Sequence, residues 1–143
     1  MLLYAYMDNT FVKRVAFAAA LGLSAVSSPA EAGPFGDISY ARQDLADDTQ
    51  QACGRARVEA AEERRRLRLA DFDLAAAETE SERLSIRREI LEIQEAARVE
   101  RQEIIADLQE DTIAQSDILG RRAMAQLSSN APVFIAQCAR SGQ

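Results

Sequence analysis

Three groups of residues in this 143-residue sequence have chemical potential: the cysteines Cys53 and Cys138, the arginine run Arg64-Arg65-Arg66-Leu67-Arg68, and carboxylates at helical spacing such as Glu78 and Glu82. The cysteines are far apart and form no C-x-x-C, so they make neither a thioredoxin-type redox pair nor a zinc site. The sequence has no histidine, which removes histidine triads, histidine metal sites and imidazole acid–base catalysis. It carries no glycine-rich phosphate loop and no dinucleotide fingerprint. Catalysis by two carboxyls needs a cleft that raises the pKa of one of them. Glu78 and Glu82 fall on a polar face, and nothing in the sequence builds that cleft. No catalytic residue, metal ligand or cofactor is expected, and the chain reads as a non-enzyme.

The arginine run admits two readings, an anion-binding patch or a solvated helix face. The second is favoured, because Glu62, Glu63, Asp71 and Asp73 flank the run and cancel most of its field. The whole chain has a net charge of −6, which gives no basic surface for nucleic acid. Tryptophan is absent and aromatics are 6%, so no stacking site for a base or a sugar is evident, nor any small-molecule substrate.

These residues sit on one dominant stretch, 55–119, which contains no glycine or proline and is bracketed by Gly54 and Gly120. Its Ala, Leu, Glu, Arg and Gln are the residues that lose least on entering a helix. With Leu67 at a heptad a position, Ala70 falls at d, Leu74 at a, and Ala77, Leu84 and Leu91 at d. Ser81 and Arg88 then occupy a positions and the seam fails. A second stripe of Ile86, Ile90, Ile93, Ala97, Ile104 and Leu108 follows helical spacing beside it. The candidate interaction face is therefore Leu67, Leu74, Leu84, Ile86, Ile90, Leu91, Ile93, Ile104 and Leu108.

The change of register predicts two helices, or one helix with two partners. At the change, Thr79 is followed three residues later by Glu82, a capping-box pattern. The competing reading keeps the helix continuous through Thr79, since tight helix hairpins usually contain Gly, Asn or Pro. Ion pairs are expected at Glu62→Arg66, Glu63→Arg66, Glu80→Arg83 and Glu95→Arg98, each contributing about 0.2–0.5 kcal/mol.

The first third differs from the rest. Lys13-Arg14 precede an apolar run over 15–26, followed by Ala30-Glu31-Ala32 and Gly33, the pattern of a cleaved secretory signal. The run is shorter than the roughly 20 residues that cross a bilayer. Cleavage before Gly33 leaves a periplasmic or secreted protein, and a membrane association is expected only if the signal is retained. Removal of 1–32 takes Asp8, Lys13, Arg14 and Glu31 away together, so the net charge stays at −6.

After this signal, 33–52 reads as an N-terminal loop and a helix start, and 53–143 as the helical domain. Gly33-Pro34-Phe35-Gly36-Asp37 has loop composition. Residues 38–51 can enter a helix anchored by Tyr40 and Leu45. Beyond Gly120, 121–127 is amphipathic with Ala123, Met124 and Leu127 on one face. Ser128-Ser129-Asn130 reads as a stop, and Ala131-Pro132 as the start of a short helix carrying Val133, Phe134, Ile135 and Cys138.

Two cysteines in an exported chain imply a disulfide. A straight helix over 55–119 would be about 97 Å long, far too long for Cys138 to return to Cys53. A hairpin that turns near Thr79, followed by a tail that turns back at Gly120, removes the conflict. The expected fold is all-α, a long helical hairpin or coiled-coil-like bundle with a short C-terminal helix folded back. Intermolecular pairing in a parallel dimer is the alternative.

The function this supports is an exported helical structural or adaptor subunit of a cell-envelope assembly, such as a secretion or conjugation machine. The alternative is a soluble periplasmic chaperone-like protein that binds unfolded clients. A bridging helix with a retained anchor is a third, weaker reading. The expected partners are proteins, a second copy included.

Overall fold

The computed structural model describes residues 34–141. Among them every element is an α-helix and none is a strand: α1 is Pro34–Ala76, α2 is Glu80–Ala114, α3 is Ser116–Leu119 and α4 is Arg121–Arg140. The chain is thus all-α, as the composition predicts. The signal-type segment with Ala30, Ala32 and Gly33 lies outside the described residues.

Two boundaries differ from the sequence reading. Pro34, Phe35, Gly36 and Asp37, read as loop, begin α1 instead. Proline suits a first helical turn because its missing N–H would have no partner there, and Asp37 adds a favourable charge near the N-terminus. Gly54 also interrupts nothing, since α1 runs straight through it. The cost of about 1 kcal/mol for a helical glycine is too small to stop a helix of this length.

The third difference is at Pro132. The stop expected at Ser128-Ser129-Asn130 is absent, and α4 is one 20-residue helix with Pro132 inside it. Proline cannot donate to the carbonyl four residues earlier, which is that of Ser128. The Gln109 side-chain amide donates to that carbonyl instead, at 2.9 Å. The Ser129 hydroxyl turns back to the Ala125 carbonyl at 3.0 Å, so it too stays within the helix.

The chain forms two compact units. The first combines the described residues up to Gln50 with Leu108–Ala131. Its core is Leu45, Met124 and Leu127, with Leu119 packed against them. Ala41, Leu108 and Ala131 are also buried there. Two threonines are buried in this unit, and each is satisfied by its own helix: Thr49 donates to the Leu45 carbonyl and Thr112 to the Leu108 carbonyl, both at 2.6 Å. Between α2 and α4 the chain turns through Gln115, α3 and Gly120. Gly120 has φ of 100°, a backbone region that only glycine enters without strain.

The second unit combines Gln51–Asp107 with Pro132 onward. Here the later part of α1 and the earlier part of α2 form an antiparallel hairpin, and the end of α4 lies against α1. The seam is built from small residues: Ala52, Ala56, Ala60, Ala70 and Ala97 are buried, together with Ile104, Ile135 and Cys138. Full burial of Ile104 and Ile135 contributes about 1.5–3 kcal/mol each. The alanines contribute less, and their short side chains allow the helices to approach closely.

Candidate interaction surface

The hairpin turn is made without glycine, asparagine or proline, and side chains do the work those residues usually do. Thr79 Oγ1 accepts from the Glu82 N–H at 3.2 Å, while Glu82 Oε2 accepts from the Thr79 N–H at 3.0 Å. This is the reciprocal capping box expected from the sequence, and it decides between the two readings at Thr79 in favour of a turn. Glu82 also accepts from the Glu78 N–H at 3.0 Å, and Arg83 donates to the Ala77 carbonyl at 3.3 Å. The donors around the start of α2 thereby find partners. These backbone hydrogen bonds hold the Glu82 carboxyl below its ordinary pKa, the reverse of what a catalytic acid needs.

Cys53 and Cys138 form a disulfide within the chain, with their Cα atoms 5.3 Å apart. It fixes the end of α4 to α1. Polar contacts continue the attachment: Arg57 donates to the Ser141 hydroxyl at 3.2 Å, and Arg64 reaches the Ala139 carbonyl at 3.5 Å. Ser141 in turn donates to the Cys138 carbonyl at 2.9 Å. Among the described residues, these contacts bring α4 no further along α1 than Arg64.

Across the hairpin, Glu63 pairs with Arg101 at 2.5 Å, and both side chains are largely shielded from water. The sequence reading assigned Glu63 to Arg66. The structure corrects this: Arg65 and Arg66 both converge on Glu62, each at 2.9 Å, which leaves Glu63 on the heptad seam facing α2. Their donated hydrogen bonds hold the Glu62 carboxyl at about 2. Glu95 pairs with Arg98 at 2.5 Å, and Glu80 with Arg83 at 3.8 Å. Nearer the base of the unit, Arg55 bonds Asp107 at 2.7 Å. The arginine run is therefore already engaged in part with carboxylates.

The candidate face is divided by these arrangements. Ile104 is fully buried in the second unit and Leu108 in the first. Leu67, Leu74, Ile86, Ile90 and Ile93 are half-buried, and Leu84 and Leu91 are exposed. Among the described residues the second unit is two helices thick past the reach of α4, and Ala70 is its single buried side chain between Leu67 and Ile93. That end also carries Leu69 and Phe72, which are 57% and 73% exposed. Phe72 lies opposite the seam by helical phase, so periodicity alone marks it only as the one aromatic of the stretch. A shallow open groove runs along α2, with Leu91, Ala96 and Val99 as its apolar lining and Glu92 and Glu95 at its edges.

The first unit offers different chemistry. Asp44, Asp47, Asp48 and Asp111 crowd together, and partial burial with this repulsion pushes the Asp48 carboxyl above its ordinary pKa. Among the described residues no cluster of potential ligands could hold a metal ion, and no helix is long and apolar enough to cross a membrane.

The arrangement can present apolar and charged side chains on a two-helix projection. The chain matches no protein-family model, no curated protein and no solved structure.

Proposed function

We propose that this chain is an exported, non-catalytic helical adaptor, a structural subunit of a cell-envelope assembly such as a secretion or conjugation machine. One observation carries the reading: among the described residues the hairpin end of the second unit has two helices and leaves Leu69, Phe72, Leu84 and Leu91 exposed. Exposed apolar side chains on the outer faces of a two-helix projection suit recognition of a partner helix laid along one of them. The export signal over 1–32 and the internal disulfide agree with an oxidising compartment. Crosslinking in intact cells followed by affinity capture is expected to recover a stoichiometric envelope protein. Its absence from capture in native membranes, with the signal shown to be cleaved by intact mass, removes the adaptor role.

The groove along Leu91, Ala96 and Val99 favours a second reading, a periplasmic chaperone that holds apolar segments of unfolded clients. It predicts suppression of client aggregation near equimolar ratio. No effect on several unrelated clients eliminates it.

A further inference from the structure

The two halves of the disulfide sit in unlike surroundings. Cys53 is half-buried within α1, with helix on both sides of it. Cys138 is 5% exposed and belongs to the last turn of α4. Exchange begins when a thiolate attacks one sulfur of a disulfide, and access decides which sulfur is attacked. By burial that sulfur is Cys53 Sγ.

The end of α4 has few other attachments. Cys53, Arg57, Ala60 and Arg64 recur at helical spacing and form the stripe of α1 that meets it. From Pro132 onward the buried side chains of α4 are Ile135 and Cys138, while Val133 is 58% exposed. The bond from Arg57 to the Ser141 hydroxyl is exposed as well. One buried isoleucine and an exposed hydrogen bond are little to set against the entropy of ordering the last turns of a helix. The covalent bond therefore does most of the holding.

A break is already present where this end begins. Pro132 gives no N–H to the Ser128 carbonyl, so the hydrogen-bond ladder of α4 has a gap there. Pro132 also opens the part of α4 that belongs to the second unit, whereas Leu108–Ala131 belongs to the first. Departure of 133–141 removes nothing from the core of Leu45, Met124 and Leu127.

We propose that the Cys53–Cys138 disulfide is a thiol-exchange site for a dithiol protein, attacked at Cys53, and that the end of α4 is the latch this attack releases. The incoming thiolate forms an S–S bond with Cys53 Sγ. The Cys53–Cys138 bond breaks, and its electron pair leaves on Cys138 Sγ, which takes a proton from water. The second thiolate of the dithiol then attacks its partner's sulfur in the mixed disulfide, and Cys53 departs and is protonated to a thiol. Two electrons pass to this chain, and the dithiol ends as a disulfide. Arg57, one turn from Cys53 and bonded to Ser141, adds positive charge on the side where a thiolate develops. Because Cys138 is the leaving group, α4 is freed at the first step. Its release uncovers Ile135 and, on the stripe of α1, Ala60, both buried while the latch is closed. This device goes beyond the adaptor reading and does not rest on it.

The test uses the folded protein with its disulfide intact and reduced glutathione as the attacking thiol. The reaction is quenched early, free thiols are alkylated, and peptides are mapped by mass spectrometry. Glutathione is expected on Cys53 about tenfold or more over Cys138, with the alkyl group on Cys138. Hydrogen exchange after full reduction by dithiothreitol is the second readout. Protection is expected to fall at 133–140 and to persist around Leu45 and Met124. Glutathione mainly on Cys138, or equally on both, overturns the order of attack. Exchange that needs denaturant overturns the site. Protection lost from both units together, or retained at 133–140 with both thiols free, overturns the latch.

Discussion

The side-chain amide of Gln109 donates to the main-chain carbonyl of Ser128 at 2.9 Å, replacing the helical N–H that Pro132 cannot supply. A proline inside a helix normally leaves that carbonyl orphaned, and here a neighbouring helix supplies the donor. The bond explains how α4 stays continuous through a proline. Gln109→Ala should therefore cost about 1–2 kcal/mol, the penalty of an acceptor left without its donor. In a Pro132→Ala background the helix donor returns, and the same substitution should cost clearly less. A double-mutant cycle by urea denaturation reads the difference; equal costs in the two backgrounds would disconnect Gln109 from the proline.

The Cys53–Cys138 bond closes a loop with a sequence separation of 85 residues. In the chain-entropy account such a link stabilises by about 4–5 kcal/mol. Reduction, or Cys138→Ser, should lower the denaturation midpoint accordingly and free the end of α4 first. Hydrogen exchange is expected to show lost protection at 133–140 before the hairpin turn at 77–79.

Glycines 54 and 120 should respond in opposite directions. Gly54 is exposed within α1 and a Cβ there would meet nothing within 4 Å. Gly54→Ala should stabilise by about 0.5–1 kcal/mol by removing backbone entropy from the unfolded chain. Gly120 also has open space around a Cβ, but its φ is 100°. Gly120→Ala should destabilise by about 1–3 kcal/mol through backbone strain alone. Thermal unfolding of the two variants separates space from conformation as the constraint.

Thr79→Ala removes the hydroxyl that accepts from the Glu82 N–H. A loss of about 1 kcal/mol is expected, in the range of other helix N-caps. Its effect should also depend on pH. The Glu82 pKa is lowered in the folded protein, so its contribution is present above its unfolded value of 4.5 and fades as the pH falls below it. A Thr79→Ala penalty that is constant from neutral pH into acid would separate the hydroxyl from the carboxylate's bonds.

Asp48 should behave in the opposite sense. Its carboxyl is raised by partial burial and by Asp111, Asp44 and Asp47, so the folded protein binds its proton more readily than the unfolded chain does. Stability should rise as the pH falls through that raised value toward 3.8, and the ionised group should be a liability at neutral pH. Asp48→Asn should raise the melting temperature at pH 7, with the gain gone below pH 3.8, where both forms are neutral. A melting temperature unaffected at pH 7 would show that solvent relieves the crowding of the four carboxylates.

The sequence by itself determined the class of this protein. Helix-forming composition over 55–119 marks the chain as all-α, and the apolar stripes that change register at Thr79 point to a hairpin while leaving a continuous helix open. The capping box was legible because its bonds are local, spanning Thr79 to Glu82. Tertiary structure decided what depended on contacts distant in the chain. Ser128-Ser129-Asn130 and Pro132 carry every local sign of a helix stop, and it is Gln109, nineteen residues away, that lets the helix continue. Glu63 has an arginine three residues along its own helix, yet its position on the seam commits it to Arg101 across the hairpin. Phe72 and Leu69 resemble ordinary helix residues in the sequence; only the packing of the helices shows them 73% and 57% exposed. Local propensity extends over one helical turn, whereas burial and long-range hydrogen bonds are properties of the assembled helices.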